Sequence, residues 1–168
     1  MKKKILVVTG SRGEYGYIRP ILNLIKQREL LDYEIVGTNM HLLPEFGDSI
    51  SQFAEDGFEV KYAPLMTLGG YTPASMVKSL SVFGLSMADI LSESKPDFIL
   101  LAGDRGEQLI AAIAGAHMNV PVAHIQAGEV SGNIDGLSRH AIARFSHIHF
   151  AANQDAESRL IRSGEQKF

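Results

Sequence analysis

Short apolar runs rich in β-branched side chains alternate along this chain with longer segments of helical period. Ile5-Leu6-Val7-Val8-Thr9 predicts a strand buried on both faces, because neither alternate set of its side chains is charged. The run breaks at Gly10, and Ile18, Ile21, Leu22 and Ile25 then share one face of a helix from about Tyr17. Glu34-Ile35-Val36-Gly37-Thr38 predicts a second strand, and Phe58-Glu59-Val60-Lys61-Tyr62 a weaker one. A helix from about Pro73 to Ser94 carries Met76, Leu80, Phe83 and Met87 as its buried stripe. Pro96-Asp97 is a stop signal ahead of Phe98-Ile99-Leu100-Leu101-Ala102, the clearest strand of the chain. Then follow a helix through Ile110 and Ile113, a strand at Val122-Ala123-His124-Ile125 and a helix from about Asp135 to Phe145. A strand at Ile148-His149-Phe150-Ala151 and a short helix through Ala156 and Leu160 complete the pattern.

Strand–helix alternation of this kind specifies the α/β class, with a mostly parallel sheet covered by helices on both faces. The expected architecture is a Rossmann-like doubly wound domain over residues 1–168, with no repeat or linker inside it. Ligands of such sheets sit beyond the carboxyl ends of the strands, so the loops after each strand should carry the chemistry.

Composition narrows the field. The 168 residues include no cysteine, which excludes a disulfide scaffold, a zinc–thiolate site and a cysteine nucleophile. Lys and Arg total 16 against 19 Asp and Glu, a net charge of −3 that gives no footprint for nucleic acid. The N-terminal Lys2-Lys3-Lys4 precedes an apolar run too short for a signal peptide, which meets Gly10, Arg12 and Glu14 at once. No stretch approaches the roughly 20 apolar residues of a membrane span. The expectation is a soluble, cytoplasmic protein that binds neither nucleic acid nor membrane.

The loop Thr9-Gly10-Ser11-Arg12-Gly13-Glu14-Tyr15-Gly16 spaces its glycines G-x-x-G-x-x-G, which is not the dinucleotide fingerprint G-x-G-x-x-G. Thr38-Asn39-Met40-His41 stands where a ribose-binding acid should close the second strand, and no G-K-[ST] phosphate loop is present. Arg12 and the backbone N–H groups of this loop suit a phosphate, although a tight turn with solvated charges explains them too. The fourth strand is followed by Gly103-Asp104-Arg105-Gly106-Glu107, in which Asp104 reads either as a catalytic carboxylate or as a helix cap. The fifth is followed by His124-Ile125-Gln126-Ala127-Gly128-Glu129 and then Val130-Ser131-Gly132-Asn133-Ile134-Asp135. Asp135 reads as a second acid, as a cap, or as an i,i+4 partner of Arg139. His147 and His149 alternate on one strand face without further ligands in metal-site spacing, and His41 and His117 have no partner pattern. Arg12, Asp104, Gln126, Glu129 and Asp135 thus all fall on one sheet edge, a carboxylate cluster with an arginine that suits proton abstraction and donation.

The stretches Thr9 to Gly16, Gly103 to Arg105, and His124 to Ile142 (HIQAGEVSGNIDGLSRHAI) resemble UDP-N-acetylglucosamine 2-epimerases. The last of them is similar to the hydrolysing branch, which supplies N-acetylmannosamine-type sugars for sialic and legionaminic acid synthesis. The closing Ser146-His147-Ile148-His149-Phe150 and Arg159 to Glu165 also fit. The resemblance implies removal of the C2 proton, expulsion of UDP to give a glycal, and addition of water at C1 with inversion at C2. It implies Asp104 and Asp135 as catalytic carboxylates, with Gln126 and Glu129 beside them. Arg12, Gly13, Glu14, Gly16, Arg105, Ser131, Arg139 and His140 are implied as substrate-binding positions, with no metal or redox cofactor.

Two departures accompany the resemblance. Several family members carry a catalytic glutamate at the position of Gln126, and an amide cannot exchange a proton at neutral pH. The family also resembles the glycosyltransferase-B architecture, so residues 1–168 are expected to be the N-terminal catalytic half. The resemblance implies a C-terminal nucleotide-binding domain outside these residues, and a homodimer or homotetramer. The functional expectation is a hydrolysing UDP-N-acetylglucosamine 2-epimerase in N-terminal form. The alternative is a catalytically inactive or partner-dependent UDP-sugar-binding or oligomerisation module.

Overall fold

Five parallel strands in the order β2-β1-β3-β4-β5 form the centre of the molecule in a computed structural model that describes residues 2–47, 49–70 and 72–167. They are β1 (Lys3–Thr9), β2 (Leu31–Gly37), β3 (Phe98–Ala102), β4 (Val122–Ile125) and β5 (Ile148–Phe150). The helices are α1 (Arg12–Lys26), α2 (Ser49–Glu55), α3 (Pro73–Ser94), α4 (Gly106–His117), α5 (Ile134–Phe145) and α6 (Gln154–Arg162). The order places the winding reversal between β1 and β3, where Val8 lies beside both Val36 and Leu101. This is the doubly wound α/β sheet that the alternating pattern predicts.

The period of two along each strand divides the core into two layers. Leu6, Val8, Val36, Ile99, Leu101 and Val122 face α3, α4 and α5 through Phe83, Met87, Ala111 and Ile142. Ile5, Val7, Ile35, Leu100, Ala102 and Ala123 face α1 and α2 through Tyr15, Ile18, Leu22 and Phe53. Beyond α1 this second face stays open as a groove of about 540 Å³ lined in part by Ala123, Ile125, Ile148 and Phe150.

Several boundaries differ from the sequence pattern. α1 begins at Arg12 rather than near Tyr17, because Ser11 and Glu14 close a capping box. The segment Phe58–Tyr62 forms no strand. Tyr62 makes a single parallel bridge to Val36, while Phe58 turns down into the core. Met76 is exposed, since the first turns of α3 run past the sheet and burial begins only at Ser79 and Phe83. Among the described residues α3 is also long and apolar enough, by length and composition, to cross a membrane, where the residue pattern predicts no such segment. Here its Phe83, Met87, Ile90 and Leu91 are buried in the core. Helix α2 and two 3₁₀ turns, Asn39–Leu42 and Pro44–Phe46, occupy a stretch with no clear period.

Candidate active site

The carboxyl ends of β1, β3 and β4 converge at the winding reversal, the edge where open α/β sheets hold ligands. After β3 the chain turns sharply at Gly103, whose φ of 87° lies in the left-handed region that glycine tolerates. Buried His124 on β4 fixes that turn, its Nε2–H donating to the Gly103 carbonyl at 2.6 Å. The turn delivers Asp104 to the edge.

Asp104 is not a helix cap. The N-cap position of α4 is Arg105, and it makes no side-chain capping bond. Instead Asp104 Oδ2 accepts from Ser131 Oγ at 3.2 Å and from Arg139 Nη2. The Arg139 side chain is only 8% exposed, and its Nη1 donates to the Gln126 carbonyl at 2.7 Å and lies 3.5 Å from Glu129 Oε2. One guanidinium therefore ties together the loop after β3, the loop after β4 and the first half of α5. The i,i+4 pairing of Arg139 with Asp135 does not form, because tertiary carboxylates hold both ends of the guanidinium. Asp135 sits in the first turn of α5, where Asn133 caps it by accepting the Asp135 N–H at 3.1 Å.

Gln126 takes a left-handed φ of 61°, and Gly128 follows at 77°. The loop they form rests on α6: a Cβ at Gly128 would meet the Ala156 carbonyl and the Leu160 side chain, and Arg159 donates to the Gly128 carbonyl. His140 makes none of the contacts of this cluster; it lines a cavity of about 310 Å³ with Gly128, Arg144 and Arg159.

The loop after β1 is arranged differently from the sequence expectation. Arg12, Gly13 and Gly16 are exposed on the first turns of α1. Glu14 turns under the loop, where its Oε2 accepts the N–H groups of Gly10 at 2.5 Å and Ser11 at 3.1 Å. Burial, reinforced by the charge of Glu107, pushes the Glu14 carboxyl up to about 8. Beside it Glu107, on the first turn of α4, pairs with Arg105 Nε at 2.9 Å and accepts from Asn39 Nδ2 at 3.1 Å.

Sequence reasoning gives no role to Glu107, His41 or His124, although all three are buried at this edge. For Glu107 a signal exists: it shares the i, i+4, i+8 face of α4 with buried Ala111 and Gly115. Among the described residues no group of three or more His, Asp or Glu side chains is placed to hold a metal ion.

Three of these groups set a pH dependence of stability. Burial holds His41 and His124 down at about 4 from an ordinary 6.5, so the stability they carry is present above 6.5 and is lost as pH falls toward 4. Glu14 rises from 4.5 to about 8, so its contribution is present below 4.5 and is lost as pH climbs through 8. Together they place a stability maximum near pH 6.5. Urea midpoints across pH 4–9 should show it, and Glu14→Gln should remove the decline between about 6.5 and 8. An alkaline limb unchanged in that variant would mean that Glu14 is not the titrating group.

Comparison with known proteins gives a consistent family. The model for UDP-N-acetylglucosamine 2-epimerase matches residues 23–168. The chain is 40% identical to a hydrolysing UDP-N,N'-diacetylbacillosamine 2-epimerase of Legionella pneumophila, over 99% of this chain and 44% of that protein. It is 32% identical to a UDP-N-acetylglucosamine 2-epimerase of Neisseria meningitidis serogroup B, over 98% of this chain and 43% of that protein. Among solved structures it superposes on the UDP-N-acetylglucosamine 2-epimerase of Methanocaldococcus jannaschii in complex with UDP-N-acetylglucosamine and UDP. The TM-score is 0.83 at 25% identity, over 97% of this chain and 44% of that one. The chain thus spans less than half the length of the curated relatives it matches.

Proposed function

Because this chain belongs to the UDP-N-acetylglucosamine 2-epimerase family, we propose that it is the N-terminal half of an enzyme that hydrolyses a UDP-2-acetamido sugar with inversion at C2. The observation that carries the reading is the fixed carboxylate of Asp104, held by Arg139 and Ser131 at the winding reversal with Glu129 on the same guanidinium.

The reaction asks for one group to remove the C2 proton, one to deliver a proton from the opposite face, and cations for the departing diphosphate. Asp104 takes the C2 proton as the C1–O bond breaks and UDP leaves, giving a glycal. Asp135, entering this step protonated, delivers its proton to C2 from the opposite face as water adds at C1. The proton that the water gives up recharges Asp135, and Asp104 releases the abstracted proton to solvent. Arg12 and Arg105, on the same edge, carry the diphosphate charge. Gln126 exchanges no proton in this scheme. Its contribution is the backbone carbonyl that orients Arg139. The rest of the uridine pocket belongs to the second half of the longer protein, and the full-length enzyme is an oligomer of identical chains.

The test is incubation of the protein, at the length of its relatives, with UDP-N-acetylglucosamine and with its 2,4-diacetamido counterpart in D2O. Release of UDP together with a free 2-epimer carrying deuterium at C2 is the expected result. UDP release with C2 hydrogen and configuration retained would overturn the mechanism. Tight UDP binding without release from either sugar would instead support a binding module, the reading that Gln126 favours.

A further inference from the structure

Glu107 is 2% exposed, and a carboxylate at that depth persists only when its partners compensate for lost hydration. Its neighbours are specific. Oε1 accepts from Arg105 Nε at 2.9 Å and from Asn39 Nδ2 at 3.1 Å. Asn39 is itself fixed, with a left-handed φ of 50° and its Oδ1 accepting from Thr67 Oγ1 at 3.1 Å. The backbone of the loop after β1 closes the other side, for a Cβ at Gly10 would overlap the Glu107 carboxylate. Behind it lies Glu14, whose carboxyl burial and the Glu107 charge push up to about 8.

The bond to Nε matters for what it leaves over. A guanidinium carries five N–H donors in a rigid plane, and holding Nε fixes the plane while leaving both terminal nitrogens. Among the described residues neither Nη group of Arg105 makes a hydrogen bond, and the side chain is 39% exposed. Arg105 directly follows Asp104 in the loop after β3 and stands at the N-cap of α4, so this guanidinium belongs to the same sheet edge as the candidate site.

We propose that Glu107 is a positioning residue that holds Arg105 through Nε so that its two terminal nitrogens meet the diphosphate of the UDP-sugar. This rests on the functional reading above for the identity of the ligand. A purely architectural Glu107, stitching α4 to the loop after β1, would act on stability without acting through Arg105.

The experiment is a double-mutant cycle on UDP affinity, by calorimetry with UDP itself, in the protein at the length of its relatives. Glu107→Gln should weaken UDP about tenfold, and Arg105→Ala by about as much or more. The double variant should be no more than about twofold weaker than Arg105→Ala, since Glu107 acts through a side chain already removed. In turnover, Glu107→Gln should raise KM for the UDP-sugar more than it lowers kcat. Additive losses in the cycle, or Glu107→Gln affinity equal to wild type, would overturn the proposal. If Glu107→Gln does not fold, Arg105→Lys decides. Lysine keeps the charge but has no Nε to be held, so its affinity should fall about tenfold, the loss expected of Glu107→Gln, and wild-type affinity there would refute positioning. Wild-type protein that binds UDP but releases none from a UDP-sugar would sink the functional reading while leaving this cycle decisive. No UDP binding at all would sink both.

Discussion

Asp104→Asn, made in the protein at the length of its relatives, should lower UDP release by about 10³-fold or more while leaving the unfolding midpoint nearly unchanged. The chemical half rests on proton transfer at carbon, where a positioned acid or base contributes about 10²–10⁴-fold and an amide can do neither. The structural half rests on what Asp104 touches. It caps no helix, and asparagine presents an oxygen of the same shape to Ser131 Oγ and Arg139 Nη2. Arg139 also keeps the Gln126 carbonyl and Glu129, so its buried charge is not stranded. Parallel measurement of UDP release and urea unfolding separates the two. Activity within tenfold of wild type would remove Asp104 from the chemistry, and a collapsed midpoint would show that the carboxylate is chiefly an anchor between loops.

Gly128→Ala should cost about 3 kcal/mol or more of folding stability. Two effects add. At φ 77° an L-residue suffers a backbone penalty of about 1–2 kcal/mol. The new Cβ would also run into the Ala156 carbonyl and Leu160, and a helix backbone does not yield as a flexible side chain does. Because Arg159 also grips the Gly128 carbonyl, relief by moving the loop would break that bond and shift Gln126 and Glu129. Activity should therefore fall along with the urea midpoint. Gly47→Ala is the matched control, since its φ is 81° and nothing lies within 4 Å of a Cβ there. Equal midpoints for the two variants would show that the contact with α6 is not a tight one.

The central strands were legible because burial on both faces leaves an unbroken apolar run, as in Ile5–Thr9 and Phe98–Ala102. Position on the carboxyl edge made Asp104, Gln126, Glu129 and Asp135 candidates together with Arg12, and of these Asp104, Glu129 and the Gln126 carbonyl meet at Arg139. What one sequence hides is choice of partner. Arg139 has an acid four residues before it, so helix geometry offers Asp135, yet Asp104 and Glu129 arrive from other loops and take the guanidinium. Phe58–Tyr62 carries strand-like composition, but within it only Tyr62 bridges to β2 through its backbone, so composition alone overstates the sheet. Helix α2 buries little beyond Ser49 and Phe53 and leaves no periodic stripe to read. His41 and His124 were illegible for a related reason, since a polar residue paired inside the core looks in sequence like any polar residue at a loop. For Glu107, by contrast, the helical face it shares with Ala111 and Gly115 was a signal left unused.

The inward-turned Glu14 has an implication for how this scaffold meets its ligand. Nucleotide-binding sheets commonly leave backbone amides at the first turn unsatisfied until a phosphate arrives. Here the seat is filled from within, the Gly10 and Ser11 amides being spoken for by a side chain of the same chain. The turn is preorganised: its shape does not wait on a bound anion, so the empty and occupied forms should share it. Engineering dinucleotide recognition into this sheet by adding glycines alone would accordingly fail. Glu14 would have to be evicted as well, and the start of α1 rebuilt around its absence.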